Sequence, residues 1–100
     1  MTIKQQLATV LRDAEFKHLH TDDGMARYYK WSNYTVNADG SHGYLYIAVD
    51  CYALADGSIN VWLDKLDDLQ MNQPMGNGFI HKTLRTANDV AFIAAVLDAA

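Results

Sequence analysis

Two stretches, YLYIAVDCYA at 44–53 and INVWLDKL at 59–66, alternate their side chains on either side of the turn ADGS at 55–58. This pair constrains the fold most, because a hairpin's loop length fixes its register, and a one-residue slip sends every side chain to the other face. A two-residue loop at Asp56-Gly57 pairs Asp50 with Leu63 and sets an aspartate among apolar residues. A three-residue loop, Ala55-Asp56-Gly57, with Gly57 in the left-handed region, is the next commonest hairpin. It pairs Ala53 with Ile59, Cys51 with Val61 and Val49 with Leu63. The other face then pairs Tyr52 with Asn60, Asp50 with Trp62, Ala48 with Asp64 and Tyr46 with Leu66. Burial selects the second register: one face is a core, and the other is aromatic and acidic.

The rest of the chain supplies what covers that core. Thr2-Ile3-Lys4-Gln5 has capping-box spacing, and Ile3, Leu7, Val10, Leu11 and Ala14 follow at helical intervals. This helix is expected to fade near Phe16–His20, with TDDG at 21–24 as a turn. MARYYKWSNYTV at 25–36 is aromatic and β-branched, which predicts a strand. NADGSHG at 37–43 reads as a loop. LDDLQMNQPMGNGF at 66–79 reads as a long one whose Met71 and Met75 are candidates to cover the aromatic face. FIHKTLR at 79–85 reads as a short edge strand. A last helix opens at Thr86 with Asp89 in its first turn, and VAFIAAVL has no polar residue, so the helix is expected to bury more than one side. The expectation is one α+β domain over 1–100, a two-layer sandwich in the order α-β-β-β-(β)-α, with an antiparallel three- or four-stranded sheet and both helices on one face.

Composition narrows the function classes. Eight Lys and Arg against twelve Asp and Glu give a formal charge of −4. Asp50, Asp56, Asp64, Asp67 and Asp68 face only Lys65 between residues 50 and 81, a region that repels phosphate backbones and attracts basic surfaces. One cysteine excludes an intramolecular disulfide. The N-terminal stretch is too polar for a signal peptide, and no apolar run reaches a membrane span. A cytoplasmic protein is the expectation.

Catalytic patterns are sparse. His18, His20 and Asp22, beside Asp23, form the nearest approach to a metal site, but no cysteine joins them and the spacing matches no specific motif. Cys51 points into the core in the favoured register, where a thiol behaves as a small hydrophobe. GNG at 76–78 is too short to cradle phosphate and has no P-loop lysine after it. No Ser-His-Asp arrangement is present. No cofactor is expected.

The order α-β-β-β-α resembles the double-stranded RNA-binding domain, and an aromatic sheet face resembles an RRM. Both likenesses are of arrangement. The last helix opens on TANDV rather than a lysine cluster, and GYLYIAV lacks the RRM's basic residue, so no direct nucleic-acid binding is expected. The features favour a small non-enzymatic module that binds a basic protein partner through Tyr44, Tyr46, Asp50, Tyr52, Asn60, Trp62 and Asp64, since Tyr and Trp anchor interface centres. In size and charge the chain resembles anti-CRISPR proteins and the immunity proteins of bacterial toxins, which implies an inhibitor or regulator of the kind carried by phages and mobile elements. A second reading is a metal-binding regulator or small enzyme using His18, His20 and Asp22. A third is a homodimer joined through Phe92 and Val96 of the last helix.

Overall fold

The computed structural model describes residues 1–31, 46–66 and 80–99. Two helices flank five strands: α1 (Ile3–Asp13), β1 (Lys17–Asp22), β2 (Met25–Trp31), β3 (Tyr46–Ala53), β4 (Ile59–Leu66), β5 (Ile80–Leu84) and α2 (Ala87–Ala99). The strands form one antiparallel sheet in the order β1-β2-β3-β4-β5. Leu7, Leu11, Val90, Ile93 and Leu97 of the helices share one core cluster with Ile47, Val49, Cys51, Ile59, Val61, Leu63 and Leu84 of the sheet. Both helices therefore lie on the same face, as expected. No helix among the described residues is long and apolar enough to cross a membrane.

The β3–β4 register is the expected one, running from Ala53 opposite Ile59 to Tyr46 opposite Leu66. The Leu54 N–H donates to the Ser58 carbonyl at 2.9 Å, the Gly57 N–H donates to the Leu54 carbonyl, and Gly57 holds φ 88°. That is the three-residue loop with a left-handed glycine. The Asp56 carboxylate accepts from both the backbone N–H and the hydroxyl of Ser58, which closes the turn.

The strand count departs from expectation at the start of the sheet. α1 opens with the capping box: the Gln5 N–H donates to Thr2 Oγ1 at 3.1 Å, and the Thr2 N–H donates back to Gln5 Oε1 at 2.9 Å. It does not fade toward His20. Glu15 takes φ 66°, its N–H donates to the Arg12 carbonyl, and the Phe16 N–H reaches the Leu11 carbonyl, both at 2.9 Å. This is a Schellman stop, with the buried Phe16 as its apolar anchor. The chain leaves it already extended, so Lys17–Asp22 becomes an edge strand. FIHKTLR supplies the opposite edge, from Ile80 to Leu84. The expected lid residues Met71 and Met75, Leu45, and the expected loops at 37–43 and 67–78 lie outside the described residues.

TDDG is a turn, as the sequence suggests, and it is also a hairpin. Asp22 pairs with Met25, and Asp23 (φ 51°) and Gly24 (φ 81°) form a two-residue loop. Positive φ at both positions is what an Asp-Gly dipeptide accommodates best. A Cβ at Gly24 would lie 3.1 Å from Cε2 of the Tyr52 ring. Gly24→Ala is therefore expected to cost more than the roughly 1 kcal/mol of the left-handed backbone alone. Gly57→Ala, with nothing within 4 Å, is expected to cost only the backbone part. Urea midpoints of the two variants check the difference.

Candidate functional site

β2, β3, β4 and β5 present their other side chains on the face away from the helices. Register sets Arg27 opposite Asp50, Tyr29 opposite Ala48, Trp31 opposite Tyr46, Trp62 opposite Asp50, Asp64 opposite Ala48, and His81 opposite Trp62. The centre of this face is ionic and buried. Arg27 Nε donates to Asp50 Oδ1 at 2.8 Å and its Nη2 donates to Asp50 Oδ2 at 2.9 Å. Arg27 is 4% exposed and Asp50 is 1% exposed, so this bidentate pair is shielded from water on a face that sequence alone reads as wet. The hydrogen bond to Asp50, ahead of its charge, pushes the guanidinium pKa further up, and Arg27 stays cationic.

Asp64 completes a buried trio of two carboxylates and one guanidinium. It is 5% exposed, and its Oδ2 has no hydrogen-bond partner. Burial first, then the charge of Asp50, pushes its pKa up, and Arg27 opposes them. Folding therefore favours the protonated form. Stability from this group is full below the unfolded value of 3.8 and is lost as pH rises through the higher folded value. Asp64→Asn removes that loss. It is expected to stabilise the fold at pH 7, on the order of 1 kcal/mol, with the gain vanishing below pH 3.8. Thermal melts across this range measure it.

Aromatic rings border the ionic centre. Trp31 and Tyr46 lie 4.7 Å apart between ring centroids, and Tyr29 meets Tyr46 edge-on at 6.1 Å. Tyr29 and Tyr46 are half-buried, whereas Trp31 is 65% exposed. Trp62 stacks flat on His81 at 4.8 Å with an interplanar angle of 3°. Tyr52, partly exposed, lays its ring against Gly24. Asn60 accepts a hydrogen bond from the Thr83 hydroxyl.

The sequence-derived set thus divides. Tyr46, Tyr52 and Trp62 share one face with accessible ring surface, while Asp50 and Asp64 sit beneath it as buried charge rather than surface groups. Asn60 is half-buried and occupied by Thr83, and Tyr44 lies outside the described residues. Arg27, Tyr29 and Trp31 belong to the same face and were missed, because nothing in the sequence fixes the register between β2 and β3. Their signal was the phase of β2: positions 27, 29 and 31 alternate with the helix-facing 26, 28 and 30.

The histidine cluster does not assemble. A bulge between His18 and His20 pairs the first with Tyr28 and the second with Arg27, on opposite faces of β2. The His18 ring packs on Tyr28 at 5.1 Å, and its Nε2 shares a 2.9 Å hydrogen bond with Thr21 Oγ1. No group of three metal-ligating side chains forms among the described residues. Cys51 is buried as expected, and burial, followed by the charge of Asp50, pushes its thiol up to about 12. A thiol so protonated is a poor nucleophile. Val96 packs against the core, while Phe92 is 48% exposed. No protein-family model matches this chain, and neither a curated protein nor a solved structure matches it.

Proposed function

We propose that this chain is a non-enzymatic binding protein that lays the aromatic side of its sheet on a basic protein surface. The observation that carries this reading is the ring cluster of Trp31, Tyr46 and Tyr29, with Trp31 65% exposed, on the same sheet face as the buried Arg27–Asp50 pair. Large, rigid rings tipped with hydrogen-bonding groups suit the centre of an interface. The formal charge of −4 across the chain favours a cationic partner and disfavours phosphate backbones. Trp31 now leads as anchor ahead of Trp62, whose flat stacking on His81 is already satisfied within the chain.

Such a mode fits an inhibitor or regulator that masks its partner's surface, in keeping with the likeness in size and charge to anti-CRISPR and immunity proteins. A reducing cytoplasm, where the lone Cys51 remains a thiol, is the compartment we assign. The test is capture from host lysate with the wild type and with Trp31→Ala/Tyr46→Ala, alongside Asp56→Ala at the far turn as control. A basic protein is expected with the wild type and the control. Its affinity for the folded double variant is expected to fall at least about thirtyfold, and its association with the wild type to slow as salt rises. Equal affinity for all three folded proteins overturns the reading.

A further inference from the structure

The helix-facing side of the sheet carries small residues beneath α1. Thr21, Ala26 and Cys51 stand in one row across β1, β2 and β3, and Ala53 follows on β3. Over them α1 sets Lys4, Leu7, Ala8 and Leu11, one helical stripe that includes a second alanine. Small side chains facing one another leave room, and a cavity of about 250 Å³ opens between helix and sheet. Leu7, Leu11, Cys51 and Ile59 are buried and make its interior apolar. Lys4, Ala8, Thr21 and Gly24 are exposed and form its rim.

The polar groups of the lining say what such a cavity suits. Lys4 is the only charged side chain among the lining residues, and it makes no ion pair or hydrogen bond with another described residue. No acidic residue occupies the first turn of α1 to compete for it, and neither Asp22 nor Asp23 lines the cavity. The Tyr28 hydroxyl, in the half-buried wall, also has no hydrogen-bond partner among the described residues. The Thr21 hydroxyl is already shared with His18. One ammonium matches a monoanion, whereas a phosphate dianion calls for more donors than this rim provides. The volume falls below the roughly 300–1,000 Å³ of pockets for drug-sized ligands, so the apolar body is short. We propose that this cavity binds a small aliphatic carboxylate, with its carboxylate at Lys4 and the Tyr28 hydroxyl and its chain between Leu7, Leu11 and Ile59. The cavity lies on the helical side of the sheet, away from the aromatic face, so it stands or falls independently of the proposed partner binding.

Titration of the full chain with octanoate, followed by amide NMR spectra and calorimetry, tests it. Shifts are expected to centre on Leu7, Ala26, Cys51 and Ala53. From hexanoate to octanoate, each added methylene is expected to tighten binding about fourfold. Octanamide, which keeps the shape without the charge, is expected to bind about fivefold more weakly than octanoate. Lys4→Gln is expected to erase that preference while leaving octanamide binding unchanged. Ala8→Phe places a ring over the mouth from an exposed helix position, and Ala26→Leu fills the interior. Each is expected to weaken octanoate binding at least about tenfold, with folding checked by circular dichroism and melting. If Ala26→Leu does not fold, Ala8→Phe decides. The absence of shifts at these residues with millimolar octanoate overturns the proposal. So do equal affinities for octanoate and octanamide, a preference that survives Lys4→Gln, or folded blocking variants that bind as the wild type does.

Discussion

Arg27→Met is expected to cost about 3–5 kcal/mol of folding stability at pH 7, a large share of the roughly 5–15 kcal/mol available to a domain of this size. The substitution keeps most of the side chain's length and apolar stem, so lost packing contributes little. It strands Asp50, 1% exposed, without its two charge-assisted hydrogen bonds, and leaves Asp64, 5% exposed, as a second buried carboxylate facing it. Protonation removes buried charge, so lowering the pH is expected to narrow the gap between the variant and the wild type. Arg27→Met/Asp50→Leu removes both partners of the pair and is expected to recover most of the loss, because a well-packed apolar replacement of a buried ion pair is often neutral or better. Urea unfolding at pH 7 and pH 5 separates these outcomes. A single variant as stable as the wild type at pH 7 would mean that water reaches the pair and that this face is open after all.

Adjacent residues of α2 should respond unequally. Ile93 is fully buried against the sheet, and Ile93→Ala removes its branched side chain from a core shared with Leu63, Leu84 and Leu97. The lost transfer energy and the remaining cavity together give an expected loss of about 2–5 kcal/mol. Phe92, one position along and nearly half exposed, is expected to cost clearly less when cut to alanine, since only part of its ring leaves water on folding. Thermal melts of the two variants compare them. Equal losses at 92 and 93 would show that α2 is rotated about its axis from the orientation described here.

What the sequence made legible follows from how locally each feature is encoded. The β3–β4 register was readable because a three-residue loop and two alternating strands over-determine it: a slip of one residue either way sets Val49 opposite Asp64 or Cys51 opposite Asn60. Both helix starts were readable from Thr2 and Thr86, whose side chains cap three residues away. β1 was not. KHLHTD has a single apolar residue, and the stop before it relies on Glu15 in a left-handed conformation, where the usual signal is glycine. The Asp-Gly at 23–24 carried the hairpin signal, but without a recognisable strand before it there was nothing to pair.

The candidate face was legible on β3 and β4, not on β2, and not in depth. Alternation placed Asp50, Trp62 and Asp64 on one face and correctly separated them from the core. It could not reveal that two of the three are buried, because that depends on Arg27, twenty-three residues away across a strand pair joined by a long connection. Charge counting misread their depth as well. The aspartates of β3 and β4 read as surface acidity, whereas Asp50 is paired with Arg27 and Asp64 is buried with an unpartnered oxygen.

Each strand of this sheet pairs with its neighbour in sequence, but the two helices that seal it come from opposite ends of the chain and pack on each other. During translation the β3–β4 hairpin can form as soon as Leu66 has left the ribosome. Its apolar face then waits for α2, a further thirty-odd residues, or a few seconds at about 5–20 residues per second. For that interval Val61 and Leu63, fully buried in the finished fold, are half-clad by α1 alone and are open to chaperones. A chain cut short before Ile93 keeps all five strands and α1 but lacks the Ile93 and Leu97 half of its roof, so part of the sheet's apolar face stays exposed.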